Sequence, residues 1–216
     1  MFRQYREIQY GEFIVCAADC SAGGKDYSAA QFISKNYNDV PLVWHSRNLA
    51  SNMTDNIVPI FERIYDKTGI PPLIAYERNN GGTFELERVA AMNRGGKYEL
   101  FRMPTIGTLV DKDGIKYGWD TNTATRPGML EDLKTAVDNK ILRVYDRQTV
   151  REMLSFVCVQ TNNSWKAQAE RNAHDDLIMA LAIAWQLVLR SPSAHSKKPD
   201  RMSAARPEFR NRHEGY

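Results

Sequence analysis

An α/β fold, with a central mixed β-sheet flanked by helices, is the architecture this sequence predicts. Two observations carry that expectation. Apolar runs of strand length alternate with longer segments whose apolar residues recur at helical spacing. Acidic residues also stand where these segments end or begin: Asp19 closes Phe13-Ile14-Val15-Cys16-Ala17-Ala18, Glu77 closes Leu73-Ile74-Ala75-Tyr76, and His174-Asp175-Asp176 opens a long apolar segment.

The elements follow in order. Residues 13–19 read as a buried strand. Residues 27–34 and 40–45 read as two more, joined by turns at Gly23-Gly24 and at 36–39, which makes a three-stranded meander. Residues 49–68 read as an amphipathic helix, because Met53, Ile57, Ile60, Phe61 and Ile64 share one face. Gly69 ends it and Pro71-Pro72 prevents its continuation. A short strand at 73–77 follows, then a helix at 83–93 stopped by Gly95-Gly96, and a strand at 98–102.

Residues 111–125, rich in Asp, Gly, Asn and Thr, read as an irregular loop. Arg126-Pro127 leads into a helix at 128–139. A strand at 141–144, a helix at 147–154, a hairpin through Asn162-Asn163 and a last helix at 175–189 complete the pattern. This order of meander, helix, strand, helix, strand and late acidic helix is that of a ribonuclease H-like fold. There the strands ending in Asp19 and Glu77 lie side by side, and the start of the last helix reaches the same cleft.

With 216 residues the chain suffices for one substantial domain, and 43% hydrophobic with 25% charged residues is an ordinary globular balance. The net charge of +3 is unevenly spread. Residues 190–216 hold seven Lys/Arg against three Asp/Glu, which leaves 22 basic and 23 acidic residues in 1–189. The expected organisation is therefore a domain over 1–189 and a basic, disordered tail over 190–216; such a tail is more often a solvated end than a specific binding site, and it can still add salt-dependent affinity for DNA phosphates. Cys16, Cys20 and Cys158 form no C-x-x-C pair and read as reduced thiols; no zinc spacing is present. No apolar run is long enough to span a membrane, and the N-terminus lacks a signal-peptide pattern.

Each acidic position has an ordinary explanation too. An Asp before a Gly-rich turn starts many hairpins. A Glu at a strand end is commonly a surface residue, although Gly81-Gly82 lets a backbone come close behind Glu77. One Asp at a helix start caps free N–H groups and suits the helix dipole. A second Asp beside it is more than capping needs, and the apolar helix from Leu177 to Leu189 places the pair at a buried, fixed position. Carboxylates gathered from three separate elements repel one another without a counter-charge. Their convergence points to a hard divalent cation, Mg²⁺ or Mn²⁺, and to phosphoryl chemistry on nucleic acid. His174 reads as a hydrogen-bonding neighbour behind the ligands. Lys25 after Gly23-Gly24 is not a phosphate loop: the G-x-x-x-x-G-K-[ST] spacing is absent, and no ATP site is read anywhere in the chain.

With these residues in view, the chain resembles the C-terminal nuclease domain of the large terminase subunit of tailed bacteriophages. The resemblance rests on Asp19 with Gly23-Gly24-Lys25-Asp26, on Tyr76-Glu77-Arg78-Asn79-Asn80-Gly81, on Gly118-Trp119 with Thr125-Arg126-Pro127, on Glu152 to Phe156, and on His174-Asp175-Asp176-Leu177. Five motifs in order cover most of residues 13–189. The resemblance implies a metal-dependent endonuclease that cuts concatemeric viral DNA during packaging, in the cytoplasm of the infected bacterial host. It carries the metal ligands over to Asp19, Glu77 and Asp176, with Asp175 beside them and Asp26 as a further acidic position nearby.

In the two-metal reading Asp19 bridges both ions, while Glu77 and Asp175/Asp176 hold one each. One ion activates the attacking water and the other stabilises the leaving 3′ oxygen. Lys25 and Lys166 are candidates to neutralise phosphates. The implied partners are double-stranded DNA and, in the full assembly, the portal, the small terminase subunit and an N-terminal ATPase domain that has no match here. The alternatives are another ribonuclease H-like nuclease, such as a Holliday-junction resolvase, and a non-catalytic module that binds DNA or docks on the portal.

Overall fold

Period-two alternation in the central strands decides the layers. The computed structural model describes residues 1–21, 26–103, 116–161, 164–169 and 174–191, with the backbone alone at 157–161 and 164–169. Along β2 (Ile14–Asp19), Ile14, Cys16 and Ala18 join one apolar cluster, while Val15 and Ala17 join another on the opposite face. Every residue of β2 is buried, so the strand is covered on both sides.

A six-stranded mixed sheet results, in the order β1-β4-β3-β2-β5-β6. The expected meander is β2, β3 (Ser28–Ser34) and β4 (Asp39–Ser46), all antiparallel. β1 (Phe2–Gln4), which sequence reasoning missed, adds an antiparallel edge strand beside β4. β5 (Leu73–Tyr76) pairs parallel with β2, and β6 (Glu99–Leu100) parallel with β5. The strand expected at 98–102 thus splits: Leu100 ends β6, and β7 (Arg102–Met103) pairs instead with β8 (Lys116–Tyr117).

One face of the sheet is covered by α1 (Ala50–Thr68) and α2 (Gly82–Met92). Met53, Ile57, Phe61 and Ile64 of α1 are all buried there, as the helical spacing predicted. Gly69 takes the left-handed conformation (φ 74°) at the C-cap and donates its N–H to Tyr65 O. The other face is covered by α3 (Thr125–Asp138) and α5 (Asp176–Arg190), with α4 (Arg147–Leu154) packed on α5. Helix α5 is buried from Leu177 to Val188 and lies across β2 and β3. β9 (Phe156–Thr161) and β10 (Ser164–Ala169) form the expected hairpin.

Three expectations are corrected. Helix α3 begins at Thr125, so Arg126 and Pro127 sit in its first turn, where a proline lacks no needed N–H. The region 116–119 is not irregular: Lys116 and Tyr117 form β8, and Trp119 bridges to Glu77. Residues 141–144 form no strand; Arg143 makes only a single bridge, to Asp39. The Gly23-Gly24 turn, Lys25, the Asn162-Asn163 turn and the basic tail beyond residue 191 lie outside the described residues.

Polar residues lock the meander edge. Asp146 caps α4, accepting from Thr149 N (2.8 Å) and Thr149 Oγ1 (2.7 Å), and it receives Arg3 Nε at 2.7 Å as well as the Tyr5 hydroxyl. Burial alone would push this carboxyl up, but the hydrogen bonds from Arg3, Tyr5 and Thr149 outweigh it and hold the pKa down at about 2. A depressed carboxyl contributes stability that is present above its unfolded value near 4 and lost as pH falls through about 2. Asp146→Asn should therefore cost about 2 kcal/mol at neutral pH and much less at pH 2. Chemical denaturation at the two pH values checks this; an equal loss at both would show that the charge contributes nothing.

Candidate metal centre

Strand register brings the first two carboxylates together. Ala18 pairs with Tyr76 across the parallel β2–β5 ladder, and Glu77 N donates to Ala18 O at 2.8 Å. Asp19 and Glu77 are thus neighbours one step beyond the ladder. Asp19 continues the parity of Val15 and Ala17, and Glu77 that of Ala75, all on the α5 face. Both acids are buried, at 8% and 6% exposure. The two side chains lie against one another at the end of the ladder. The Asp19 carboxyl is pushed well above the ordinary range by burial first, then by Glu77, with Asp176 and Asp175 adding to it.

Close backbone approach holds Glu77 in place. A Cβ added at Gly82 would run into the Glu77 carbonyl oxygen. On the other side, Trp119 N donates to Tyr76 O and Arg78 N to Trp119 O, both at 2.9 Å. Gly118 permits that contact with φ +86°; a Cβ there would lie 2.7 Å from Tyr76 O. Asn79 Nδ2 bridges Glu77 Oε1 (3.4 Å) and Thr121 O (3.1 Å).

The third element is the N-terminus of α5. Asp175 occupies the cap position, yet its side chain makes no capping hydrogen bond, contrary to the expectation for this pair. It accepts instead from Arg126 Nη2 at 2.9 Å. The cap comes from another helix: Glu152 of α4, 7% exposed, accepts from Leu177 N at 3.0 Å and also bonds Ile178 N–H. Asp176 is left with a buried Oδ2 that has no hydrogen-bond partner; His174 Nδ1 lies 3.7 Å away. Burial, then Asp175, push Asp176 up to about 6. Burial likewise pushes Glu152 up to about 8, against the pull of the Leu177 N–H and with Asp176 adding to the rise.

The structure therefore brings Asp19, Glu77, Asp175 and Asp176 to one end of the sheet, with Asp26 near enough to raise the Asp176 carboxyl further. His174 stands beside Asp176, its ring edge-on to Tyr27. Lys25 and the Lys166 side chain lie outside the described residues. Sequence reasoning did not assign roles to Glu152 or Arg126, although both fall inside the five motifs.

As they stand, no three His, Cys, Asp or Glu side chains among the described residues are gathered closely enough to hold an ion. The donors nonetheless fit a hard divalent cation by chemistry. They are all carboxylate oxygens, and one of them, Asp176 Oδ2, is a buried acceptor without a donor.

The strand order and the flanking helices define a ribonuclease H-like fold. No protein-family model and no curated protein matches the sequence. Solved structures do. The large terminase nuclease domain of Thermus phage P74-26 aligns with a TM-score of 0.60 at 14% identity, covering 86% of this chain and 83% of that one. The large terminase nuclease of thermophilic phage G20c, with bound magnesium, gives 0.60 at 16% identity, with 85% and 84% covered. The human cytomegalovirus terminase nuclease domain, soaked in manganese, gives 0.56 at 11% identity, with 82% and 83% covered. The chain has the fold of large terminase nuclease domains.

Two outcomes test the centre as built. Gly82→Ala should displace α2 or the Glu77 carbonyl and cost about 3 kcal/mol or more, whereas Gly128→Ala, with open space around it, should cost almost nothing. Equal melting temperatures for the two variants would show that the close approach constrains nothing. Second, a carboxyl raised in the folded state contributes stability below its unfolded pKa and loses it as pH rises through the folded value. With Asp176 at about 6 and Glu152 at about 8, the melting temperature in EDTA should fall as pH rises from about 4 to 8. Asp176→Asn should remove the part of that fall that lies between about pH 4 and pH 6.

Proposed function

We propose that this chain is a divalent-metal-dependent DNA endonuclease, the cutting domain of a viral genome-packaging terminase. The observation that carries the reading is the convergence of Asp19, Glu77 and Asp176 at the end of one parallel strand pair, in a fold shared with terminase nuclease domains. The nuclease of phage G20c with bound magnesium and the cytomegalovirus domain soaked in manganese support divalent metal use. The proposed substrate is double-stranded concatemeric DNA. The proposed setting is the cytoplasm of an infected bacterium, beside an ATPase domain, a portal and a small terminase subunit.

Each side chain has a role in this reading. Asp19, which feels the charges of both Glu77 and Asp176, would hold the metal together with them. Glu77, steadied by Asn79, serves one side. Asp176, with its unpartnered oxygen, serves the other. Asp175 is already engaged by Arg126 and supports the site, keeping part of its charge balanced. Divalent cations bound by these carboxylates would lower the pKa of an attacking water and offset charge on the leaving 3′ oxygen. Burial of the carboxylates keeps water from screening that charge.

The purified protein should nick or linearise supercoiled plasmid with Mg²⁺ or Mn²⁺ and without ATP. Full activity in EDTA, or a strict need for ATP, would sink the proposal. Asp19→Asn and Asp176→Asn should cut below detection. Asp175→Asn should retain activity reduced by about 10- to 100-fold, the usual cost of removing a residue that supports a ligand. If Asp175→Asn is the inactive variant and Asp176→Asn still cuts, the two roles are exchanged. If both cut normally, the metal centre lies elsewhere.

A further inference from the structure

We propose that the groove between α4 and the start of α5 receives one strand of the DNA duplex, with Arg151 and Arg47 holding its phosphates on either side of His174. The inference rests on the nuclease reading above and adds the path of the substrate.

The groove has a volume of about 320 Å³ and is lined by Gln148, Arg151, Glu152, Ser155 and His174. Gln148, Arg151, Glu152 and Ser155 recur at helical spacing, so one face of α4 forms its wall. Its acidic member is engaged elsewhere: the Glu152 carboxylate is turned to the backbone N–H groups of Leu177 and Ile178. The Ser155 hydroxyl already donates to Glu152 O at 2.9 Å. What remains for a ligand is a guanidinium, an imidazole and an amide, donors suited to phosphate oxygens.

Five arginines among the described residues are held by carboxylates: Arg3 by Asp146, Arg6 by Asp39 and Glu12, Arg78 by Asp120, Arg88 by Asp55 and Glu85, and Arg126 by Asp175. Arg151 and Arg47 have no acidic partner among the described residues, and both are exposed. Arg47 is positioned by a ring instead. Its guanidinium carbon lies 4.8 Å from the centroid of Tyr27. Tyr27 in turn stacks on His45 (4.4 Å between centroids) and meets His174 edge-on at 4.9 Å. A ring orients an arginine without neutralising it, so the charge stays available to an anion. The series Arg47, Tyr27, His174, Asp176 thus runs from a cation without a carboxylate to the proposed ligand, and Arg151 enters from the α4 side. A polyanion crossing both arginines passes directly by Asp176.

Binding of a labelled DNA duplex in EDTA, followed by fluorescence anisotropy over a salt series, tests this without cleavage. The variant carrying Arg47→Ala and Arg151→Ala should bind about tenfold more weakly at low salt. Its plot of log affinity against log salt should be shallower by roughly two, about 0.9 for each phosphate that is no longer neutralised. Arg63→Ala, exposed on α1 across the sheet, should match wild type in both. With Mg²⁺ the double variant should show a raised KM with kcat largely kept. Unchanged affinity and slope, or an equal loss in Arg63→Ala, would overturn the groove. If wild type binds with these slopes but never cuts, the nuclease reading fails and the groove stands. If it cuts while the double variant binds like wild type, the groove fails alone.

Discussion

Parallel pairing of β2 with β5 decides where every charge of the site stands. Two strands joined by a hairpin run antiparallel, and their ends lie at opposite edges of a sheet. A parallel pair ends its strands on the same edge, and here the register places Asp19 beside Glu77 with no freedom left over. Parity then turns both side chains toward the same face, because slipping one residue would exchange the two apolar clusters and bury the wrong set. The cost of two adjacent buried acids is therefore imposed by the packing of an apolar cluster on each side of the sheet. A local rearrangement cannot relieve it. A proton or a cation can.

Helix α5 adds the third acid under a related constraint. It is apolar almost throughout and covered along its length, so its own residues offer little to satisfy its ends. Other elements do so. Glu152 of α4 accepts the first N–H groups, and Lys35, just past β3, donates to Val188 O (2.8 Å) and Ser191 O (2.7 Å) at the far end. Gln31 of β3 ties the two helices to the sheet through Thr149 Oγ1 (2.9 Å) and Leu177 O (3.3 Å). With both ends fixed from outside, the position of Asp176 is set by the sheet and by α4, and Asp175 is released from capping to meet Arg126.

Much of this was legible in the sequence, for identifiable reasons. Burial on both faces makes β2 and β5 continuous apolar runs, so their ends are marked by the first charged residue, and those residues are Asp19 and Glu77. The glycine at 82 marks a close backbone approach that the sequence alone suggests, and the one at 118 marks a second. The edge strand β1 was hidden because three residues carry no period. The strand expected at 141–144 looked apolar, but Leu142 packs into the core from an irregular segment, as Ile141 and Arg143 stay exposed.

Glu152 was concealed by a misleading pattern, and the reason is instructive. On α4 the apolar residues Val150 and Leu154 recur at i and i+4, which ordinarily marks the inward face. Both are exposed, at 38% and 80%, while Thr149 and Glu152 are buried. The helix is turned about because its inward contacts are polar: Asp146 caps it through Thr149, Thr149 meets Gln31, and Glu152 meets the free N–H groups of α5. A buried helix end is an obligation to supply acceptors, and here it outweighs two apolar side chains in choosing which face of an eight-residue helix turns inward. The same rotation puts Arg151 and Ser155 on the rim of the groove, so one unsatisfied helix end accounts for the placement of Asp176, the burial of Glu152 and the cationic wall beside them.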